Sequence, residues 1–244
     1  MPGAEPASYP GGPNGVLVLH GFTGNPQSMR PLASALAAAG YTVEMPLLPG
    51  HGTTVADMVP TRWADWSGAA LLAYEDLAQR CARVAVAGLS MGGTLATWLA
   101  SRQSSVAAIA VVNPMIEPPP DELVDALRAM DDETMPAIGS DIALPGAVEL
   151  AYDATPVAAL VSFLLDGVAP LSAQLGSVRC PVLLFTSPQD HVVQPTSSDY
   201  LASHVSGPVE RVTLSRSFHV ATLDYDAPEI EARTVDFLAK VFAV

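Results

Sequence analysis

Residues 88–92 read Gly-Leu-Ser-Met-Gly, directly after an apolar run at 84–87 and before a helix-like stretch. A serine on a short turn between a strand and a helix has its hydroxyl exposed, where it can attack an acyl carbon. The flanking glycines suit such a turn because they place no β-carbon near the hydroxyl or between helix and strand. The pattern therefore predicts that Ser90 is a nucleophile, provided that a base lies near it.

The base and its acidic partner are expected beyond the carboxyl ends of other strands, where reactive groups gather in open parallel sheets. Three residues meet this condition, each after a predicted strand: Ser90 after 83–87, Asp190 after 181–186 and His219 after 209–214. In this interpretation His219 accepts the serine proton. Asp190 holds the imidazole in position and stabilises the imidazolium.

Other interpretations of these residues remain open. The remaining histidines have structural explanations in turns, in a loop or at the end of a surface helix: His20, His51, His191 and His204. Asp190 lies in a good turn sequence and could be only a turn residue. Asn113 occupies the end of the preceding strand and cannot ionise, so Glu117 is the fallback acid.

A tetrahedral intermediate also needs two hydrogen-bond donors for its oxyanion, and the loss of one costs about 3 kcal/mol. Backbone amides suffice. The expected donors are the amide of Met91, directly after the nucleophile, and the amide of Phe22, in the loop after the first predicted strand.

The elements that must position these residues alternate between apolar strands and helices. Strands are predicted at 16–19, 41–45, 83–87, 107–112, 181–186 and 209–214, and helices at 26–39, 63–80, 91–102 and 228–242. Strands that are apolar on both faces indicate a mostly parallel sheet covered by helices on both sides, which is the α/β class.

The alternation breaks at residues 114–178, which are predicted to form a helical cap inserted between core segments 1–113 and 179–244. Helical pieces are expected at 121–130 and 148–152. The stretch 157–165 is strongly apolar, and Phe163 within it is expected both to pack the cap onto the core and to line the entrance for an acyl chain.

Composition excludes several classes of function. The 244 residues carry a formal charge of −14, which opposes binding to nucleic acid and anionic lipid and favours a neutral substrate. Two cysteines predict no disulfide framework. No zinc-ligand spacing or dinucleotide-binding glycine pattern is present, so no metal or cofactor is expected. With no signal peptide or membrane span expected, the predicted location is cytoplasmic.

The chain resembles the serine carboxylesterases of the α/β-hydrolase superfamily and, more closely, the bacterial monoacylglycerol lipases. The shared stretches are residues 19–24, 50–52, 88–93, 139–141, 149–152, 190–193 and 219–226. The resemblance implies Ser90, Asp190 and His219 as a catalytic triad with Phe22 and Met91 as oxyanion donors.

The same resemblance implies two substrate-binding residues in the cap. Glu149 would sense the glycerol hydroxyls, and Ile138 would divide the acyl tunnel. From the residues alone, Glu149 would be an exposed helix charge and Ile138 a core residue.

The expected function is hydrolysis of monoacylglycerols through an acyl-serine intermediate, with a small lipid ester as the partner and with no nucleic acid or stable membrane insertion. One alternative is a general carboxylesterase without glycerol recognition. Another is a protein of the same fold that binds an apolar ligand without catalysis. A perhydrolase or thioesterase would use the same triad.

Overall fold

A computed structural model describes residues 1–243; residue 244, at the end of the predicted third segment, lies outside it. The strands are β1 (Ala7–Tyr9), β2 (Asn14–Leu19), β3 (Thr42–Met45), β4 (Arg83–Leu89), β5 (Val106–Val112), β6 (Thr134–Pro136), β7 (Ala154–Pro156), β8 (Val182–Thr186) and β9 (Val209–Thr213). Seven of them form one sheet in the order β1-β3-β2-β4-β5-β8-β9. Among residues 1–243, β1 is the only strand of this sheet that pairs antiparallel.

Helices cover both faces of the sheet. They are α1 (Arg30–Ala38), α2 (Val55–Met58), α3 (Trp63–Arg80), α4 (Met91–Arg102), α5 (Asp121–Arg128), α6 (Val157–Ser162), α7 (Ala169–Ser172), α8 (Thr196–His204) and α9 (Ala227–Phe242). Short 3₁₀ turns occur at Pro26–Met29, Leu175–Ser177 and Ala221–Leu223, and a π-helical turn at Phe163–Val168.

Alternate residues of the central strands contribute side chains to two apolar cores, one on each face of the sheet, because successive side chains of a strand point to opposite faces. Leu17 and Leu19 of β2 belong to the core that includes side chains of α3, α4 and α8, while Val16 and Val18 belong to the core that includes side chains of α1 and α9. The predicted α/β class with a mostly parallel sheet is confirmed.

The segment that the sequence predicts as a cap, 114–178, contains α5, α6, α7 and the antiparallel pair β6–β7. The helix predicted at 148–152 is wrong, since this stretch has no regular secondary structure. Its backbone bonds to distant side chains instead of to itself. The amide of Leu150 donates to Gln27 Oε1, and the carbonyl of Val148 accepts from Gln27 Nε2.

Three short strands, β1, β6 and β7, have no counterpart in the sequence prediction. Each has three residues, which is too short to show an alternating pattern. The β1 strand exists because it pairs with the outer edge of β3. Within residues 1–243, none of the helices combines the length and the apolar character needed to cross a membrane.

Candidate active site

Ser90 lies on the tight turn between β4 and α4. Its backbone has φ 54° and ψ −118°, a conformation that non-glycine residues rarely adopt and that costs about 1–3 kcal/mol. The surrounding structure holds it there: the Ser90 amide donates to the carbonyl of Val112 on β5, and the amide of Thr94 donates to the Ser90 carbonyl, both at 3.0 Å. Ser90 therefore sits in a strained, fixed turn at the carboxyl end of the central strand.

Gly92 is required for this turn to pack against β2. A β-carbon on Gly92 would overlap the carbonyl group of Leu19. Similarly, a β-carbon on Gly88 would overlap the backbone of Gly92. Two of the glycines that flank Ser90 thus have a steric reason in the structure.

Asp190 and His219 are brought together from the loops that follow β8 and β9. His219 Nδ1 bonds Asp190 Oδ2 at 2.7 Å, and both side chains are nearly buried, with 8% and 1% of their surfaces exposed. The other Asp190 oxygen accepts the amides of Val192 and Val193, each at 2.8 Å. With Nδ1 donating to Asp190, His219 Nε2 is the ring nitrogen that can accept a proton.

The Ser90 hydroxyl makes no hydrogen bond to any group within residues 1–243. Hydrogen bonds between a nucleophile and its base are often long or poorly aligned in unliganded enzymes and tighten when substrate binds. The structure thus shows a direct bond between Asp190 and His219. Ser90 has no such bond to either residue, but its backbone amide is bonded to Val112 of the adjacent strand β5, which leads to the same loops.

Asn113 makes that connection between β5 and the histidine loop. Its Nδ2 donates to the carbonyl of His219 at 2.8 Å, and its Oδ1 accepts the amide of Ser187 at 2.8 Å. Asn113 is buried and has φ 45°. The fallback acid Glu117 lies elsewhere, exposed and bonded to the hydroxyl of Thr196 at 2.6 Å.

The loop at residues 20–24 lies against the serine turn and is called the oxyanion loop below, after the role expected of its Phe22 amide. A β-carbon on Gly21 would be 3.5 Å from Cβ of Ser90. Within residues 1–243, the backbone amides of Phe22 and Met91 donate to no acceptor. The amide of Met91 is free because the first amide of a helix has no partner within that helix.

The ring of His20 orients the peptide group between Gly21 and Phe22. His20 Nε2 accepts the amide of Leu48 at 3.1 Å, which leaves Nδ1 to donate to the Gly21 carbonyl at 2.9 Å. In a trans peptide the carbonyl and the next amide point in opposite directions, so this bond also sets the direction of the Phe22 amide. The expectation that His20 shapes its loop agrees with this contact.

His20 and His51 form a buried pair beneath the oxyanion loop, with ring centroids 5.0 Å apart. Burial lowers the pKa of His20 to about 3, helped by the neighbouring His51, and lowers the pKa of His51 to about 4. Both rings are therefore neutral at pH 7. His51 Nδ1 donates to the carbonyl of Pro49, and its ring packs edge-on against Trp66.

Glu149 lies over the oxyanion loop and not on an exposed helix. Its Oε1 would be 2.8 Å from a β-carbon placed on Gly24. Burial raises the pKa of the half-buried Glu149 carboxyl, while the charge of His219 and the nearby Ser28 hydroxyl act in the opposite direction.

Three residues that hold Glu149 were missed by the sequence reasoning. The Asn25 side chain donates to the carbonyl of Leu150, and Gln27 bonds the backbone on both sides of Glu149. The amide of Tyr152 donates to the carbonyl of Thr23 in the oxyanion loop. The only sequence signal was Asn25 before Pro26, which is a helix-start pattern, and its side chain does accept the amide of Gln27.

The two other predicted substrate residues lie in different surroundings. Phe163 is buried, and its ring stacks on Phe22 and on Trp63 with ring centroids 5.8 Å and 6.0 Å apart, so segment 114–178 packs directly onto the oxyanion loop. Ile138 has 68% of its surface exposed. The interpretation of Ile138 as a core residue is therefore wrong.

Comparison with known proteins assigns the family. A model of the alpha/beta hydrolase family matches residues 16–230. This chain belongs to the alpha/beta hydrolase family. This hydrolase is 44% identical over 241 residues to the thermostable monoacylglycerol lipase of Bacillus sp. (strain H-257), covering 98% of this chain and 96% of the relative.

Two further relatives span nearly the whole hydrolase. It is 25% identical over 242 residues to a carboxylesterase of Bacillus subtilis (strain 168), covering 97% of each chain. A solved structure from work on the metagenome-derived lipolytic enzymes LipS and LipT superposes with a TM-score of 0.94 at 40% identity, covering 98% of this chain and 99% of that one. The resemblance to bacterial monoacylglycerol lipases is confirmed.

Proposed function

We propose that this hydrolase cleaves the ester bond of monoacylglycerols through a catalytic triad of Ser90, Asp190 and His219. The observation that carries the proposal is the 2.7 Å bond between Asp190 and His219, at the carboxyl edge of the sheet from which Ser90 projects. Three groups in these roles, on turns and loops that follow the parallel strands β4, β8 and β9, constitute the machinery of acyl transfer. The 44% identity to a monoacylglycerol lipase supports the choice of substrate.

In the first half of the reaction, Ser90 Oγ attacks the ester carbon while His219 Nε2 takes its proton. The amides of Phe22 and Met91 donate to the oxyanion that forms. The intermediate collapses when the glycerol oxygen leaves with the proton from His219, giving acyl-Ser90. Water then attacks the acyl group, again with His219 as base, and the fatty acid leaves as the proton returns to Ser90.

Glu149 is proposed to recognise the glycerol hydroxyls. Its carboxyl group is half-buried and lies against Gly24, in the loop that carries the proposed oxyanion donor Phe22, which supports a position beside the leaving alcohol. A partly desolvated carboxylate accepts hydrogen bonds from hydroxyl groups more strongly than a solvated one does. This gives the site a polar end for glycerol beside the ester.

Residues 114–178 are proposed to act as the cap that receives the acyl chain. The stacking of Phe163 on Phe22 supports a role at the inner end of that path, next to the oxyanion donor. Ile138 is proposed to contact the chain farther out, in keeping with its exposure. Phe163→Asp should reduce turnover of long-chain esters more than short-chain esters, and equal losses would count against an acyl path along Phe163.

The test of the proposed function has two parts. Wild type should hydrolyse monoacylglycerols and react covalently with a fluorophosphonate, and Ser90→Ala should do neither. Comparable cleavage of triacylglycerols would contradict a pocket enclosed by a cap. Failure of the wild type to react with the fluorophosphonate would favour the non-catalytic ligand-binding alternative.

A general carboxylesterase is the second candidate, favoured by the 25% identity to the Bacillus subtilis carboxylesterase. Glu149→Ala distinguishes the two, since it should impair monoacylglycerol hydrolysis while sparing a simple aryl ester. Equal loss on both substrates would favour the general esterase. We further propose that the protein acts in the cytoplasm on neutral esters. Its charge of −14 favours a neutral substrate and opposes binding to nucleic acid.

A further inference from the structure

The carboxylate of Asp141 connects segment 114–178 to both loops that carry Asp190 and His219. Its Oδ2 accepts the backbone amide of His219 at 3.0 Å and that of His191 at 3.1 Å. Its Oδ1 bonds His191 Nδ1 at 2.7 Å, and only 10% of its side chain is exposed. His191 directly follows Asp190, so one carboxylate fixes the backbone next to the acid and the backbone of the base itself.

With this contact, His219 is held at three separate points. Asp141 accepts from its amide, Asn113 donates to its carbonyl, and Asp190 bonds its ring. The Val220 amide also donates to the backbone carbonyl of Asp141 at 3.0 Å, so both the side chain and the main chain of Asp141 bond to residues 219–220. Hydrogen bonds to an ionised carboxylate are about twice as strong as those between neutral groups.

A second carboxylate, that of Asp224, also connects segment 114–178 to the loop that carries His219. It accepts the amides of Ala143 and Leu144 in segment 114–178 and the amide of Phe218, directly before His219. In the described part of the chain, the Asp224 carboxylate makes no hydrogen bond to His219, whereas the Asp141 carboxylate does.

We propose that Asp141 is a positioning residue for ester hydrolysis, fixing the His219 backbone relative to Asp190 so that Nε2 meets the Ser90 hydroxyl. This role rests on the proposed function, since it acts through the triad. Asp141 touches neither substrate nor reacting atoms. Its effect arises because a displacement of about 1 Å in a catalytic group can cost about a hundredfold in rate.

The test compares Asp141→Ala with Asp141→Asn, with Asp199→Ala as the matched control. Asp199 is an exposed carboxylate that bonds Arg211, away from the triad. Asp141→Ala should lower kcat by about 10- to 100-fold with little change in KM. The asparagine amide oxygen can still accept both backbone amides, so Asp141→Asn should stay within about threefold of wild type, as should Asp199→Ala.

The second-order rate constant for labelling of Ser90 by a fluorophosphonate gives an independent measurement. The value of kcat is calculated per labelled site, and all assays are run well below the Tm of each variant. A merely structural role would reduce the labelled fraction or Tm, but would leave the labelling rate constant and kcat per site unchanged. Slow labelling of Asp141→Ala with rescue in Asp141→Asn supports the positioning role. Wild-type labelling rates in Asp141→Ala would refute it.

The same experiment separates this inference from the proposed function. If the wild type itself fails to label, both the proposed triad and the role of Asp141 are wrong. If the wild type labels and Asp141→Ala labels equally fast, the triad stands and only the role of Asp141 is wrong.

Discussion

Replacing His51 with Gln should make the stability of this hydrolase less sensitive to acid. His51 and His20 are buried as neutral rings, with pKa values of about 4 and about 3 against 6.5 for an exposed histidine. Below pH 6.5 the unfolded chain binds protons on these residues and the folded chain does not. Stability therefore falls as pH decreases, and the loss is complete only near the folded pKa values.

The size of the effect follows from these values. Between pH 7 and pH 5 each buried histidine should lower the free energy of unfolding by about 2 kcal/mol, so the pair should lower it by about 4 kcal/mol. Glu149 acts with the opposite sign because its pKa is raised, so the folded state binds its proton more readily than the unfolded state does. For that reason the prediction concerns the difference between wild type and variant, not the whole pH profile.

The assay is urea unfolding at pH 7, 6 and 5 for wild type, His51→Gln and the exposed-histidine control His204→Gln. From pH 7 to pH 5, His51→Gln should lose about 2 kcal/mol less than wild type. The loss in His204→Gln should equal that of wild type. Parallel losses in all three proteins, with unchanged urea m-values, would refute the assignment of His51 as a buried neutral ring.

Three further predictions test packing and reactivity. Gly92→Ala should lower the free energy of unfolding by more than the about 1–3 kcal/mol typical of overpacking, because its β-carbon would overlap a β2 carbonyl. Gly68→Ala, in open space on α3, should raise the free energy of unfolding by about 0.5–1 kcal/mol. Equal effects of the two substitutions in urea unfolding would contradict this prediction. Asn113→Ala leaves the buried partners of Asn113 without a hydrogen bond and should lower the free energy of unfolding by about 1–3 kcal/mol. An unchanged urea midpoint would refute the bridging of β5 to the histidine loop by Asn113. Burial raises the pKa of the Cys180 thiol to about 11, so at pH 8 iodoacetamide should modify it more slowly than Cys81, as mass spectrometry of the modified peptides would show.

The fold and the serine turn could be predicted because they depend on local patterns. An apolar run, a glycine-flanked serine and a helix-like stretch specify β4, Ser90 and α4 within about twenty residues of one another. Asp190 and His219 could be selected because the carboxyl ends of parallel strands lie at one edge of the sheet. Their direct bond agrees with that selection, while their catalytic role remains a proposal.

Contacts that span long stretches of chain could not be predicted. Residues 148–152 resemble a helix locally, yet their backbone bonds to Gln27, more than 120 residues away in sequence. Asp141 meets His219 across 78 residues, and Asn113 meets it across 106. No periodicity or motif records such pairings, because the partners become neighbours only when the sheet and segment 114–178 have assembled.

The order of residues along the chain thus suffices for the class of fold and for the chemistry expected at Ser90, since both follow from short-range backbone preferences and from the direction of parallel strands. Burial and contacts between distant segments decide the surroundings of Glu149 and the neutral state of His20 and His51. They also decide the hydrogen bond between Asp141 and the His219 backbone. Those properties arise from packing in three dimensions, where desolvation and hydrogen-bond partners are set by residues that the linear sequence keeps apart.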